Sequence, residues 1–410
     1  MSVKICMIGA RLSKNLGGPS LYVATKMLLD EHFSDAQITY LAFYKTFADD
    51  LQIAGKYPHL HIVKYKTKPW LLPMAWMKKL FGFMVGPADQ KQIIQAIKNS
   101  DMLIDIWGIS FADSLGANSF LKRFTDGIHF YIAKLFKKPV IKYTAAMGPF
   151  QQKWNRYFGR YYLNKFVDVI LARDEITKKA VEELGVKTLV QQSPDTAFLL
   201  PAKESDLSKR YQNIRQSKPL VCLSVSYQAK NRAQSEDHYF NTMAQFVRQL
   251  VHIYNAHVVI LPNEVSSGVL DDTRIAEKIA ERADDVNCSV AHIGSYTAQE
   301  IKGIIDLSDA VVAARYHTIV AALSLAIPTL AIGWHHKYAA LLSLFEQQEQ
   351  LCNIENLSIE DLQKKFEKLW RDRQRIRETI EKNLVDVKNE IHKAADQVFG
   401  FIQEKLENKS

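Results

Sequence analysis

An arginine and a histidine two positions apart, Arg315 and His317, follow the apolar run Ala310-Val311-Val312-Ala313-Ala314 directly and open a helical pattern over His317–Ala326. The start of a helix offers free N–H groups and a partial positive charge. A guanidinium and an imidazole added there make a site for an anion, with a group able to give a proton. The ordinary alternative is capping or packing, but two such groups are costly beside an apolar helix without partners. Lys337 follows the next apolar run, Pro328–Ile332, through Gly333-Trp334-His335-His336, so both loops are expected on one sheet edge. Its ordinary reading is a surface lysine. His335 and His336 would point apart and have no carboxylate or cysteine nearby at ligand spacing, so no metal site is expected.

Two further groups have the right types. Arg173 follows the run Val167–Leu171 and precedes a helical stretch ending at Gly185. It could hold an anion or simply pair with Asp174 or Glu175. Asn15-Leu16-Gly17-Gly18-Pro19-Ser20 lies between the first apolar run and a helical pattern, flanked by Arg11 and Lys14. Its glycines would let the backbone approach an acceptor or an anion at a helix start, or serve only a tight turn. It is no Gly-x-Gly-x-x-Gly, which argues against a dinucleotide.

These residues need strand ends to stand on. Apolar runs at Val3–Ile8, Ile38–Phe43, His61–Tyr65, Met102–Ile106, Val140–Tyr143 and Val167–Leu171 alternate with helical patterns such as Leu21–Glu31, Asp89–Ile97 and Ser119–Lys134. Such alternation predicts a parallel sheet with helices on both faces. Pro201–Lys218 is polar without a clear period and reads as a linker. Alternation resumes with strands at Pro219–Ser226, His257–Leu261, Val290–Ile293, Ala310–Ala314 and Thr329–Ile332. Ile359–Leu406 carries one apolar face at helical spacing. The expected fold class is therefore α/β, with two Rossmann-like, doubly wound domains facing across a cleft in the GT-B manner and a C-terminal helical extension. The expected domains are 1–200 on the acceptor side, a linker at 201–218, 219–355 on the donor side and a helical segment 356–410.

Among the 410 residues, the net charge of +9 is unevenly placed. Residues 1–200 hold 27 Lys and Arg against 16 Asp and Glu, and the remainder hold 26 against 28. A basic half attracts phosphate-bearing ligands, nucleic acid or an acidic membrane, or serves solubility alone. No nucleic-acid recognition motif accompanies it, so no nucleic-acid partner is expected, and a non-catalytic polyanion-binding protein stands as the reading of another class. No secretory signal or spanning segment is apparent, and Cys6, Cys222, Cys288 and Cys352 make no Cys-x-x-Cys pair. A reducing, cytoplasmic setting is expected.

Strand, Arg315-x-His317 and the apolar Ala321–Gly333 stretch with Pro328 resemble the polysaccharide pyruvyl transferase family. The Gly-containing first loop, Gly148-Pro149, Ala172-Arg173-Asp174, Leu184-Gly185-Val186 and Asp195 agree in order, over roughly residues 3–345. The resemblance implies a ketal-forming transferase that moves an enolpyruvyl group from phosphoenolpyruvate to a sugar of a polysaccharide or lipid-linked precursor. By it, His317 would be the general acid with Arg315 beside it, and Arg173, Arg315 and Lys337 would hold the donor. Phosphoenolpyruvate would be a co-substrate, and no cofactor is implied. The chain departs from the family at Gly17-Gly18-Pro19, where Gly-Asp is frequent, and at Trp107-Gly108-Ile109, where Gly-Gly is. The rival within the same architecture is a nucleotide-sugar glycosyltransferase. Arg315–Trp334 lacks the carboxylate such enzymes use on the ribose, leaving Glu264 or Asp309 for that task.

Trp70–Val85 is unusually apolar and aromatic, and Lys64, Lys66 and Lys68 precede it. The favoured reading is a core segment or a greasy rim of the cleft. Peripheral contact of residues 64–85 with an anionic membrane, at its inner face, is the other.

Overall fold

A computed structural model describes residues 3–113, 119–265, 271–334 and 336–408. His335 lies outside the described residues. The chain divides into two compact units. The first comprises 1–13, 21–196 and 390–410; the second comprises 14–20 and 197–389.

The first unit holds β1 (Lys4–Ile8), β2 (Gln37–Phe43), β3 (Leu60–Tyr65), β4 (Met102–Asp105), β5 (Ile109–Ser110), β6 (Val140–Met147), β7 (Val169–Ala172) and β8 (Leu189–Gln192). They form one eight-stranded sheet in the order β3-β2-β1-β4-β6-β7-β8, with β5 beside β6. The second holds β9 (Leu220–Ser224), β10 (His257–Leu261), β11 (Cys288–Val290), β12 (Ala310–Ala313), β13 (Thr329–Gly333) and β14 (Leu351–Asn353), in the order β11-β10-β9-β12-β13-β14. All pairings are parallel. Parallel strands need helical crossovers that cover both faces, and this is why β4, β7, β9, β10, β12 and β13 are buried at every position. Strand order reverses between β1 and β4 in one sheet and between β9 and β12 in the other. Ligands of such sheets bind outside the carboxyl ends at these reversals. Two parallel-sheet units and C-terminal helices are the fold class expected.

Several boundaries differ from the expectation. The stretch 201–218 contains a helix, Asp206–Arg215, started by a capping box between Ser205 and Ser208. It buries little beyond Ser208 and Tyr211, which is why no apolar period marked it. The division falls after Thr196, and the tail is shared: residues to Asn389 belong with the second unit and those from Glu390 with the first. The single helix expected over Ile359–Leu406 is two, Ile359–Arg371 and Arg373–Glu407, separated at Asp372. In the first unit the end of the longer helix stacks Phe399 on Tyr143 at 5.5 Å, and its Lys405 bonds Asp168 at 2.7 Å. The helix expected over Ser119–Lys134 is broken at Gly127, where a Cβ would meet the Tyr162 ring at 2.4 Å.

His257 at the start of β10 is buried and bonds Ser289 Oγ through Nε2 at 2.8 Å. Burial, then Lys218 and Arg210, pushes its pKa down to about 4. Unfolded, it protonates near its ordinary value, so the unfolded state takes up the proton first. Stability should be whole above pH 6.5 and fall as the pH drops towards 4. In acid melts, His257→Gln, which cannot titrate, should lose less over that window than wild type. Phe399→Ala should cost about 3–5 kcal/mol in denaturant unfolding, as a large buried ring is lost.

Candidate functional site

The second unit assembles its polar groups at the reversal between β9 and β12. Arg315 ends the turn after β12 in an extended conformation, and the helix Tyr316–Leu323 starts from it. Its Nε and Nη2 donate to the two oxygens of Asp272 at 2.8 and 2.5 Å. Asp272 is fully buried at the start of the helix Asp272–Ala283. It also accepts the backbone N–H groups of Tyr227, Asn263 and Glu264 at 2.8, 3.3 and 3.0 Å. One carboxylate therefore gathers the loops after β9, β10 and β12. Arg315 Nη1 lies 3.6 Å from Glu264. A second link joins the same loops: Thr318 Oγ1 is 3.0 Å from Ser224 Oγ and accepts from Asn263 Nδ2 at 3.1 Å.

His317 is the second residue of the helix that Arg315 opens, and it is half-buried, with Nε2 turned inward. Gly17 lies against its ring. A Cβ on Gly17 would stand 2.5 Å from Nδ1 and 2.7 Å from Cε1. The segment holding Gly17 belongs with this unit and is pinned to it, Val265 N–H donating to Lys14 C=O at 2.8 Å and Asn15 bridging Glu264. Asn15 Oδ1 accepts the Gly18 N–H at 2.9 Å. The space a side chain at position 17 would take is thus held by the imidazole.

Tyr316 touches His317 edge-on at 5.4 Å, and Lys337 Nζ lies 5.4 Å from the Tyr316 ring and 5.3 Å from that of Tyr338. Tyr338 donates its hydroxyl to Ala314 C=O at 3.2 Å, and Trp334 lies tilted against it at 5.3 Å and carries Arg232 at 4.8 Å. Arg315, His317, Lys337, Lys14, Asn15, Gly17 and Gly18 thus belong to one unit, with aromatic rings spacing the cations. Asp309, considered for a ribose, instead accepts the Leu220 N–H at 2.9 Å at the opposite, amino-terminal ends of the strands. Glu264 stands at the carboxyl ends, beside Arg315.

Arg173 and Arg11 belong to the first unit. Arg173 follows β7, is buried and donates from Nη1 to buried Asp195 at 3.2 Å. Asp174 caps the next helix instead, accepting from the Thr177 N–H at 2.7 Å. At this sheet's own reversal lies a cluster absent from the sequence reading. Lys142, fully buried on β6, reaches Asp105 at 3.0 Å and Trp107 C=O at 2.9 Å. His129 Nε2 is 3.6 Å from the other Asp105 oxygen. Burial alone would raise the Asp105 pKa, but Lys142 and His129 hold it below its ordinary value. Burial lowers that of Lys142 despite Asp105. Gly9, at φ 126°, leaves room for this turn, since a Cβ would meet Trp107 N at 2.3 Å.

The sequence reading missed Asp272 as the anchor of Arg315. Its visible signal, Asp271-Asp272-Thr273 before a helical run, marks a helix start and says nothing of a partner 43 positions away. Tyr316 and Tyr338 flank the named residues and could have been found as aromatic neighbours of a cation.

The chain is similar to known proteins over most of its length. It is 20% identical over 333 residues to the amylovoran biosynthesis protein AmsJ of Erwinia amylovora, covering 78% of each chain. Anabaena HepE, solved with UDP-glucose, shares its fold at a TM-score of 0.59 and 13% identity, over 99% of this chain and 100% of that one. The UDP-GlcNAc 2-epimerase of Neisseria meningitidis, solved with UDP-GlcNAc, does so at 0.59 and 12%, over 98% and 99%. Residues 15–336 match the model of one family, a span that opens on the Gly17 loop, includes Arg173, Arg315 and His317, and stops one residue before Lys337. The chain belongs to the polysaccharide pyruvyl transferase family.

Proposed function

We propose that the protein transfers the enolpyruvyl group of phosphoenolpyruvate to a sugar of a polysaccharide or lipid-linked precursor and closes it as a pyruvate ketal. The family is one of transferases in polysaccharide biosynthesis, and the relative AmsJ is a biosynthesis protein of that kind. The observation that carries the reading is His317, set on a helix start against Gly17 and Tyr316, with Lys337 Nζ 5.4 Å from the ring of the same tyrosine. The donor is small and carries both a phosphate and a carboxylate. The helix start and Lys337 would hold its charge. Arg315, committed to Asp272, acts as a positioning residue and adds its charge through the field rather than by a two-pronged grip.

In this reading His317 gives a proton to the enol methylene, and the neighbouring carbon accepts an acceptor hydroxyl. Such proton donation is worth roughly 10²–10⁴ in rate. Phosphate leaves, a second sugar hydroxyl takes its place, and the ketal closes. The steps are proton transfer, addition of two hydroxyls and loss of phosphate, which carries away one hydroxyl proton while the other returns to the imidazole; no oxidation state changes, so no redox cofactor is called for. Arg173 belongs to the donor site by resemblance alone. Its pairing with Asp195 gives it a second, structural use.

One observation favours a second reading. Glu264 stands beside Arg315 at the strand ends, and two proteins of the same fold were solved with UDP-sugars. A nucleotide-sugar glycosyltransferase would use Glu264 on the ribose. Thermal melts with phosphoenolpyruvate and with UDP-, GDP- and CMP-sugars separate the two. A ligand at 100 times its dissociation constant adds about 2.7 kcal/mol. Stabilisation by phosphoenolpyruvate is expected. Stabilisation by a nucleotide-sugar instead would transfer the assignment to the second reading.

His317→Ala should abolish acceptor-dependent phosphate release while melting as wild type does, and unimpaired turnover would remove it from the mechanism. Gly17→Ala should cut turnover by roughly tenfold or more, because the added methyl displaces the acid from its line of transfer. Turnover of the wild type should be indifferent to EDTA.

A further inference from the structure

The first unit carries an apolar face that its own core does not use. Between Lys64 and Val85 the chain forms the helix Leu71–Phe81, ended by Gly82 in the left-handed region at φ 78°. Only Leu71, Met74 and Ala75 of that helix are buried. Trp70, Trp76, Leu80 and Phe81 are exposed by 47, 39, 63 and 66%, and Phe83 and Val85 in the turn beyond by 56 and 65%. Positions 70, 73, 76 and 80 fall on one side of a helix at its natural spacing, opposite the buried side. Of the two forms of the favoured reading, core segment or greasy rim, core therefore holds for the inner side of this helix alone.

The charge around the face has one sign. Residues 64–85 contain five lysines and no Asp or Glu. Four of the lysines lie on aromatic rings: Lys64 and Lys66 each 4.5 Å from Tyr44, Lys68 5.0 Å from Trp70 and Lys79 5.3 Å from Trp76, while Lys78 donates to Gly82 C=O at 2.6 Å. Trp76 donates its indole N–H to Tyr131 Oη at 3.0 Å, which fixes the ring's tilt. Protein interfaces are depleted in lysine at their centres, whereas lysine and tryptophan together suit the headgroup layer of a bilayer. There the rings sit at the boundary, the aliphatic stems lie along them and the ammonium groups meet lipid phosphates.

We propose that the helix Leu71–Phe81 and the turn to Val85 dock the protein on the surface of a membrane rich in anionic lipid, with Leu80, Phe81, Phe83 and Val85 entering the acyl boundary. The lysines supply the selectivity for anionic headgroups. No described helix is long and apolar enough to cross a membrane, so the attachment is peripheral and reversible. The proposal concerns the first unit alone and holds whatever group the second unit transfers.

Flotation of the purified full chain with phosphatidylcholine vesicles, and with vesicles that also contain phosphatidylglycerol, tests it. The protein should float with the mixed vesicles only, less so as salt rises. Leu80→Ser/Phe81→Ser/Phe83→Ser should lose roughly tenfold or more in vesicle affinity, with an unchanged melting curve because all three are exposed. Lys66→Gln/Lys79→Gln should weaken binding to mixed vesicles by about fivefold per lysine. Flotation with neither vesicle, or equal flotation with both, would overturn the proposal. So would a dimer in sedimentation that the serine variant converts to monomer, since the face would then belong to a second copy of the chain.

Discussion

Asp272 accepts five hydrogen bonds, two from Arg315 and three from backbone N–H groups, with no exposure to water. A buried carboxylate left without partners costs several kcal/mol, so the loops after β9, β10 and β12 are bound to the positions that satisfy it. Those loops are where the strand order of the second sheet reverses. Arg315 also starts the helix that carries His317, so the same carboxylate fixes where the imidazole stands. Buried ion pairs are weak contributors to net stability compared with apolar packing. The use of this one is geometric: it converts three separate chain turns into one rigid edge.

The first sheet solves its own reversal in a related way with different chemistry. Asp105 ends β4 and takes Lys142 from the neighbouring strand, while Gly9 leaves the room that lets the turn close over them. Beyond it, Arg173 and Asp195 neutralise each other where a lone cation would be unsupportable. In both sheets a charge at a strand end is matched within its own unit before any ligand is considered. A side chain so matched can still act on a ligand, but only along the directions its partner leaves open. For Arg315 that direction is Nη1, which looks towards Glu264.

Strands buried on both faces read as unbroken apolar runs, and Ala310–Ala313 and His257–Leu261 stand where those runs stand. Residues directly after such runs, Arg315 and His317 among them, were legible for the same reason. Features set by one distant contact were not. Gly127 reads as a tolerable helix residue until the Tyr162 ring is placed against it. The contact of Gly17 with the His317 ring, which leaves no room for a side chain there, has no sign in the sequence. The polar helix Asp206–Arg215 needs only Ser208, Tyr211 and a capping box to form, too little to show as a period. Trp70–Val85 departed in the opposite sense: hydrophobicity predicts burial, yet only Leu71, Met74 and Ala75 of its helix are buried.

The distribution of charge shows why composition alone could not find the candidate site. The basic excess lies in residues 1–200, yet Arg315, His317 and Lys337 come from the half whose acids outnumber its bases. Around Arg315 the two carboxylates Asp272 and Glu264 offset its charge, and the positive groups that remain are local: a helix start, an imidazole and a lysine held over two tyrosines. Such short-range, partly enclosed terms are screened little by salt, whereas a dispersed surface excess is felt only within about a Debye length of 10 Å. The first unit spends its lysines differently. Lys142 is consumed by Asp105, and four of those in residues 64–85 stand exposed or half-exposed on aromatic rings. A net charge counts these cations alike, but one kind binds the chain to itself, one is proposed to meet a small anion and one an extended surface.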